Sequence, residues 1–496
     1  MKHRKQHKFV FSLIAGLMLA VAVLTVPAPL FPETGKMTLV ALGDCIISRK
    51  ISVEQNPGFL ELVKLIRDAD CTWANCELPI VDIDKAFPEY REHDLPGAAA
   101  PWCADELKWL GVDIMGFSNN HTMDFGREGL FSTLENLDRV GIAYAGAGKD
   151  LEYASRPGYA DTPGGRVGQV SCASAIHPGT HASLPTPFVR GRPGLNPMRI
   201  EDTVYLDKES YEAFKKISEN IRGLFKEDLE KDDKLAALQK EKTEKTEKTE
   251  QQEPGQEESK KESKETKEKP VEKIYMYYTT FYPGEKTAYS FTLNQGDLER
   301  IIASVKIARR NARVVLVSMH AHQGSYKSDA PAAFLETFAR ACIDAGADAV
   351  FNTGPHRLWA IEIYKNKPIF YSLGNFFFQL FTEDSFPSET LAMLGLDHNT
   401  RDASVAMEKV GQIYFKEDRY WQGIMPRITF EKDNEITSIE LYPISLRKGR
   451  PTHEQGTPFL ADKEEGKSII DELNTLSEPY KTKIENRNGV GVIRLK

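Results

Sequence analysis

The stretch FSNNHTMDFG (117–126) places two amides, an imidazole and a carboxylate directly after the apolar run GVDIMGF (111–117). The apolar run predicts a buried strand that ends at this point. In open α/β sheets the loops at the carboxyl ends of the strands converge on one edge, and binding sites lie there. The stretch therefore predicts a functional site at the edge of a sheet.

Strand-like and helix-like patterns alternate on both sides of this stretch. Apolar, β-branched runs occur in MTLVALGD (37–44), CTWANCE (71–77) and RVVLVSMH (313–320), and helical spacing of apolar residues occurs at 59–70, 127–140 and 332–345. This alternation predicts an α/β fold.

A polar residue after an apolar strand recurs at four further strand ends. Asp44 ends the first strand and Glu77 the second, His320 and His322 lie in VLVSMHAHQG, and His356 follows AVFNTGP. Carboxylate, amide and imidazole groups together are typical ligands of zinc, manganese or iron. A lone histidine at a strand end is usually structural, but the recurrence of this chemistry predicts a site for one or two divalent metal ions.

The composition excludes some classes of function. The chain has 496 residues, of which 41% are apolar, so it can form one large domain or two ordinary ones. A net charge of −8 provides no surface that neutralises phosphates, which excludes nucleic acid as a partner. The six cysteines include no CxxC pair, and they permit disulfides without indicating them.

The first residues, MKHRKQHKFVFSLIAGLMLAVAVLTVPAPLF, have the pattern of an export signal. Four of the first eight residues are Lys or Arg, and a charge-free run follows from 9 to 31. The apolar stretch has a length between those of a cleaved signal peptide and a membrane anchor. Residues 1–35 are therefore predicted to be one or the other, and the protein is predicted to be extracytoplasmic, either secreted or attached to the membrane.

A charged, low-complexity segment interrupts the chain at 226–273. It consists mainly of Lys, Glu, Thr, Gln and Ser and contains the repeat EKTEKTEKTE (241–250). Such a segment cannot bury a core, so it is predicted to be a solvated insertion in a domain spanning 36–400, with a polymer-binding tether as the alternative. The hairpin-like strands and helix of 401–496 are predicted to complete or cap that domain.

The order of these motifs resembles that of the CapA-type capsule biosynthesis proteins, which are associated with poly-γ-glutamate and related to the calcineurin-like metallophosphoesterases. The resemblance rests on LGDCIISRKI, WANCELPI, SNNHTMDFGREGL, VSMHAHQG, ACIDAGADAVFNTGPH and IEIYKNKPIFYSLGNFFFQ. It covers about residues 37–200 and 290–380. It implies an αββα sandwich of two mixed sheets flanked by helices.

The resemblance also implies roles for individual residues. Glu77 would bridge two metal ions, and His121 would be the catalytic residue that faces the substrate oxyanion or the leaving group. Ile46 and Gly354 depart from the family pattern, which has a histidine at each position, and His322 is a candidate to compensate. The implied metal ligands are Asp44, Glu77, Asn120, His320 and His356.

Three further residues each have two interpretations. Asp124 either caps or orients its neighbours at the start of the following helix, or contacts a metal. Arg49 either neutralises an anionic group of the substrate or is a surface residue. Asn375, in YSLGNFFFQ, belongs either to a core strand or to the rim that meets a polymer.

Two functions follow from these predictions. The first is a metal-dependent hydrolase that acts on a phosphoester, or on an amide of an envelope polymer such as poly-γ-glutamate. The second is a non-catalytic subunit that binds the anionic polymer or the membrane-bound synthase and export subunits. The predicted ligands favour the first function, and the two absent histidines favour the second.

Overall fold

The computed structural model describes residues 35–89, 97–174, 177–224, 273–276, 279–325, 329–379, 387–400 and 402–495. The chain divides into two compact units, one formed by Met1–Met198 with Gln295–Lys496 and the other by Arg199–Asn294. The predicted signal segment lies outside the described residues except for Gly35, and the predicted insertion does so except for Lys273. Within the described ranges, no helix is long and apolar enough to cross a bilayer.

The strands are numbered here in chain order. They are β1 Met37–Ile46, β2 Cys71–Asn75, β3 Ile114–Gly116, β4 Ala143–Ala145, β5 Ala147–Gly148, β6 Gly158–Thr162, β7 Gly165–Ala173, β8 Gly194–Leu195, β9 Ile200–Leu206, β10 Ile274–Met276, β11 Thr279–Pro283, β12 Ala288–Leu293, β13 Val314–His320, β14 Gly324–Ser325, β15 Ala330–Pro331, β16 Ala349–Thr353, β17 Ile361–Tyr364, β18 Lys367–Phe370, β19 Asn375–Phe378, β20 Gln422–Phe430, β21 Ile436–Ser445, β22 Phe459–Leu460, β23 Glu485–Arg487 and β24 Val490–Arg494.

The α-helices are numbered in the same way. They are α1 Pro57–Arg67, α2 Cys103–Leu110, α3 Gly126–Val140, α4 Leu151–Ser155, α5 Lys208–Leu224, α6 Gln295–Asn311, α7 Ala333–Asp344, α8 Ser388–Met393, α9 Ala403–Tyr414 and α10 Lys463–Ser477.

Two mixed sheets form the larger unit. In the first sheet the strand order is β23-β24-β21-β20-β1-β2-β3-β4, and β19 also pairs with β1. Strands β2 and β19 run parallel to β1, whereas β20 runs antiparallel to it. In the second sheet the order is β17-β18-β16-β13-β7-β6, with β7, β13, β16 and β18 parallel. The carboxyl ends of the parallel strands carry the predicted site residues.

The two sheets pack face to face, because their strands bury apolar side chains on both faces. Trp73 of β2 stacks on Phe351 of β16 with 4.8 Å between the ring centroids. On its other face the first sheet packs against α1, α2 and α3, and the second sheet packs against α6 and α7. This arrangement confirms the predicted α/β sandwich of mixed sheets flanked by helices.

One close backbone approach fixes the position of the first predicted ligand. A Cβ atom at Gly43 would overlap the carbonyl oxygen of Gly374, so only glycine permits this approach. The amide of Asp44 donates to that same carbonyl at 3.2 Å. The backbone before β19 therefore lies directly against the end of β1, at the edge where the site is predicted.

The smaller unit contains a sheet of its own. Its strand order is β10-β11-β9-β12, and Phe214 of α5 packs on Phe281 of β11 with 4.3 Å between the ring centroids. The strands on either side of the predicted insertion therefore pair with one another. All six cysteines, by contrast, lie in the larger unit, where they are buried and free.

The packing between the two sheets generates a test of the fold. Trp73 is fully buried. The substitution Trp73→Ala removes the ring that packs between the sheets, so it should lower the free energy of unfolding by about 3–5 kcal/mol. Urea denaturation followed by circular dichroism measures the change. Phe188 is 94% exposed, so the control Phe188→Ala should change stability by less than about 0.5 kcal/mol. Equal effects of the two substitutions would contradict the described packing.

Candidate metal centre

Strands of both sheets bring three predicted ligands together at one edge. Asp44 lies near the end of β1, Glu77 follows β2, and His356 follows β16. One potential ligand atom from each of these residues lies within 4.8 Å of those of the other two. We call these three residues the triad.

His356 is oriented by Asn375. The amide nitrogen of Asn375 donates to the carbonyls of His356 and Tyr420, at 3.2 and 2.9 Å, so its Oδ1 remains an acceptor. His356 Nδ1 lies 2.9 Å from that oxygen. The tautomer with its proton on Nδ1 satisfies this contact and leaves the lone pair of Nε2 available, 3.9 Å from Glu77 Oε1.

Asn75 holds the two carboxylates of the triad close together. Its Nδ2 donates to Asp44 Oδ1 at 2.8 Å and also to Glu77 Oε2. Asn75 lies in the motif CTWANCE, where the local pattern carries no signal for its role. The pairing of β1 with β2 sets Asp44 beside Asn75, and only that register shows that the amide reaches both acids.

The triad has the electrostatics of a cation site. Asp44 and Glu77 are completely buried, and within the described part of the chain their ion-pair partners are histidines alone. Among the described residues nothing hydrogen-bonds to Glu77 Oε1. Burial, followed by the charge of Asp44, raises the pKa of Glu77 well above its ordinary value. Two carboxylates without a compensating cation are costly in a dry interior, so this donor set fits a divalent metal ion.

His121 is held beside the triad by Asp124. His121 Nδ1 lies 2.7 Å from Asp124 Oδ2, and the same oxygen accepts from the amide of Gly97 at 3.1 Å. The residue before α3 is Phe125, so Asp124 is not the N-cap of that helix. Its side chain instead orients His121.

The loop that carries His121 is tied to the neighbouring strand by Asn119. Asn119 Nδ2 donates to the carbonyl of Cys76 at 2.7 Å, and its Oδ1 accepts from the amide of His121 at 3.1 Å. Asn119 belongs to the motif SNNH, but the residue pattern alone predicts no role for it. Its neighbour Asn120 has a buried Oδ1 and is itself partly exposed.

A pair of imidazoles, those of His320 and His322, lies at the same edge as the triad. His320 Nδ1 lies 2.9 Å from Thr353 Oγ1 and 3.5 Å from Glu77 Oε2, while the Nε2 atoms of His320 and His322 are 3.0 Å apart. Burial is the main cause that lowers the pKa of His320 well below its ordinary value and that of His322 to about 3. Both imidazoles are therefore neutral near pH 7, which is the form that binds metals.

Arg49 and Ile46 both follow Asp44 in the sequence, and they contact the C-terminal region and the apolar core, respectively. The Arg49 guanidinium donates to the carbonyl of Thr452 at 3.1 Å and to Thr457 Oγ1 at 3.0 Å. Burial lowers its pKa to about 10. Ile46 belongs to the apolar core between the first sheet and its helices. The position two residues after Asp44 therefore offers no ligand to the triad.

The buried charge of Glu77 generates a prediction for metal-free protein. Because the pKa of Glu77 is raised in the fold, the folded protein keeps this proton at pH values where the unfolded chain has lost it, so stability falls as pH rises above the ordinary carboxyl range. Glu77→Gln removes this titrating group, so at pH 7 the metal-free variant should be more stable than wild type by at least about 1 kcal/mol. Mn²⁺ at a hundredfold excess over its Kd should stabilise wild type by about 2.7 kcal/mol and the variant far less. Thermal unfolding with and without Mn²⁺ measures both effects.

A second buried glutamate provides the matched control. Glu362 accepts from Arg340 Nε at 3.0 Å and from the Tyr371 hydroxyl at 2.6 Å, so its charge is compensated. Glu362→Gln should lower stability and leave the response to Mn²⁺ unchanged. A metal-free Glu77→Gln variant that is less stable than wild type would contradict the assignment of Glu77 as an uncompensated metal ligand.

Comparison with known proteins identifies relatives of the chain. It is 33% identical over 472 residues to uncharacterized protein y4sH of Sinorhizobium fredii (strain NBRC 101917 / NGR234). That match covers 92% of this chain and 93% of the relative. It is 21% identical over 352 residues to capsule biosynthesis protein CapA of Bacillus anthracis, covering 70% of this chain and 61% of the relative. It is 43% identical over 82 residues to PGA biosynthesis protein CapA of Bacillus subtilis (strain 168), covering 16% of this chain and 21% of the relative.

A family model also matches more than half of the chain. The model described as bacterial capsule synthesis protein PGA_cap matches residues 38–223 and 226–380. These residues include the triad, His121 and the His320–His322 pair. They confirm the resemblance that the motifs indicate, and the chain belongs to the bacterial capsule synthesis protein PGA_cap family.

Proposed function

We propose that the protein is an extracytoplasmic metal-dependent hydrolase that acts during capsule biosynthesis, export or retention. Its substrate would be a phosphoester or an amide bond in an anionic envelope polymer such as poly-γ-glutamate. One observation carries the proposal: a completely buried pair of carboxylates, with no hydrogen bond to Glu77 Oε1 among the described residues, lies beside His121, a histidine oriented by Asp124.

The triad would hold the cation. Asp44, Glu77 and His356 supply two carboxylates and one imidazole, a donor set suited to Mn²⁺, Zn²⁺ or Fe²⁺. A divalent ion bound there supplies Lewis-acid activation of water and of the scissile group. Asn75 keeps the carboxylates in place with two hydrogen bonds, and Asn375 directs the lone pair of His356.

His121 would serve as the general acid. Its Nδ1 proton is donated to Asp124 Oδ2 at 2.7 Å, so Nε2 is the nitrogen that exchanges a proton with the substrate. When both ring nitrogens carry a proton, Nε2 donates its own proton to the leaving oxygen or nitrogen as the bond breaks. Asp124 stabilises the imidazolium and fixes the orientation of the ring, so it is a positioning residue.

The family and its relatives support the biological process. The family model is described as a capsule synthesis protein, and the relatives in Bacillus anthracis and Bacillus subtilis are named for capsule and PGA biosynthesis. A signal-like segment at 1–35 supports attachment to the membrane or export through it. At the membrane, the synthase or export subunits would be the partners.

A second function is favoured by two substitutions in the motifs. Ile46 is apolar core and Gly354 has no side chain, so two positions that carry histidines in related phosphoesterases offer no ligand. A protein with a weakened site would bind the anionic polymer or the synthase without catalysis. The hydrolase remains the better-supported function, because the remaining donors still converge at a buried and uncompensated site.

The roles of two adjacent residues separate these functions. His121→Ala should keep the bound metal and lower the rate of hydrolysis by about 10²- to 10⁴-fold, the range contributed by a general acid. Asn120→Ala should lower metal content and rate together, because Asn120 is an implied metal ligand. Metal content by mass spectrometry and hydrolysis of a generic phosphoester and of γ-linked glutamate polymer measure these effects.

Asp124→Asn tests the positioning role. The variant should retain metal and lower the rate less than His121→Ala does, and its pH–rate profile should shift because the partner of Nδ1 has lost its charge. If wild-type protein hydrolyses neither substrate, and His121→Ala still supports capsule formation in cells, the hydrolase proposal is wrong and the binding function stands.

A further inference from the structure

We propose that the loop LPTPFVRGR (184–192) docks on a membrane surface that contains anionic phospholipid and inserts its apolar tip among the lipids. This segment, called here the docking loop, lies between β7 and β8 in the larger unit. Its residues 184–190 are all exposed. The inference goes beyond the proposed function, because it concerns attachment of the protein and does not depend on a bound metal ion.

Three apolar side chains of the docking loop are exposed to solvent. Phe188 is 94% exposed, Val189 68% and Leu184 60%. Single exposed apolar residues are common on protein surfaces, but a group of them on one segment marks a site of interaction. Transfer of these side chains out of water is favourable in proportion to the apolar area that they bury. The tip is therefore suited to enter an apolar phase.

Hydrogen bonds hold the docking loop in one shape. At the tip, the amide of Thr186 donates to the carbonyl of Val189 at 2.8 Å, and the amide of Val189 donates to Thr186 Oγ1 at 3.0 Å. At the base, the amide of Ser183 donates to the carbonyl of Arg192 at 3.0 Å, and the amide of Arg192 donates to Ser183 Oγ at 2.9 Å. A loop that is already ordered loses little conformational entropy when it binds.

Basic residues follow the apolar tip directly. Arg190 and Arg192 are both exposed, and Arg192 Nε donates to the carbonyl of His181 at 2.8 Å, a neutral partner that leaves the guanidinium charged. The chain has a net charge of −8, yet no Asp or Glu occurs between Asp161 and Glu201. The docking loop is therefore locally positive in a protein that is negative as a whole.

The charges beside the base of the docking loop balance one another. A Cβ atom at Gly191 would lie 2.6 Å from Cβ of Asp150, whose carboxylate caps the amino end of α4. Lys149 precedes this acid in the sequence, and Arg156 forms an ion pair with Glu152. These two positive and two negative charges cancel, so the two arginines of the docking loop determine the local sign.

A bilayer fits this surface better than a hydrated polymer or another protein does. A polyanion such as poly-γ-glutamate can pair with the arginines, but it offers no apolar phase for Phe188. A stable protein interface involves about 20–30 residues on each side, whereas the docking loop exposes seven consecutive residues. An anionic bilayer provides headgroups for the guanidinium groups and acyl chains for the apolar tip.

A fluorescent label at the tip tests the inference. All six native cysteines are buried, so the thiol introduced in Phe188→Cys can be labelled selectively with a nitrobenzoxadiazole dye. When full-length protein labelled there meets vesicles of phosphatidylcholine and phosphatidylglycerol, the emission should increase and shift to shorter wavelengths, because the dye enters an apolar medium. Adding Arg190→Gln and Arg192→Gln should lower the docking constant in a lipid titration about 30-fold, since each basic residue contributes about fivefold.

A second exposed phenylalanine provides the matched control. Phe87 is 85% exposed, but its segment DIDKAFPE (82–89) contains three acids and one lysine. An anionic surface repels such a segment, so the same dye attached in Phe87→Cys should keep its emission when vesicles are added. Vesicles of phosphatidylcholine alone should change the label at 188 less than the anionic vesicles do, because they lack the attraction for the arginines.

Three results would overturn the inference. Equal responses of the two labels, or no response at 188, would mean that the tip does not enter the bilayer. A change at 188 caused by poly-γ-glutamate and not by vesicles would assign the docking loop to the polymer. A change that depends on protein concentration without lipid would assign it to contact between copies of the chain. None of these measurements involves metal or hydrolysis, so failure here leaves the proposed function intact.

Discussion

The candidate site depends on the close placement of two buried carboxyl groups, which is costly unless a proton or a cation neutralises one of the charges. Asp44 and Glu77 come from adjacent strands, and Asn75 donates to both of them. One amide cannot neutralise two charges, and the described residues place no Lys or Arg in an ion pair with either acid. Desolvation of such a pair is unfavourable without a counter-charge. The surrounding residues hold this pair in place, and the resulting donor set would suit a divalent cation.

The sandwich holds the pair by combining strands from two sheets and from distant parts of the sequence. The first sheet supplies Asp44 and Glu77, and the second supplies His320 and His356. Residues after 401 also contribute, because the carbonyl of Tyr420 accepts from Asn375, which in turn orients His356. A single sheet could not surround the carboxylates in this way, since its strand ends lie along one line. Two packed sheets place potential ligands on both sides of the carboxylates.

The sequence predicts the fold class and most of the donors, because both leave periodic signals. Apolar runs that end in a polar residue identify Asp44, Glu77, His320 and His356 without any coordinates. Asn75 has no such signal, since its importance comes from the register of β1 with β2. The same is true of Arg49, whose hydrogen-bond partners lie 403 and 408 residues later in the chain. Long-range pairing of this kind is decided by packing, which a local pattern does not contain.

The two departures from the family motif illustrate why position in a motif is a weaker guide than position in space. Ile46 is packed in the apolar core, so its side chain offers no ligand to the triad. Gly354 is different, because its lack of a side chain leaves room that the His322 ring occupies. A comparison that counts residues motif by motif records two absent histidines, whereas the structure shows that the ring of His322, from a neighbouring segment, lies directly against Gly354. Because a metal ion responds to the donors around it and not to their order in the chain, a motif that lacks one histidine can still belong to a complete site.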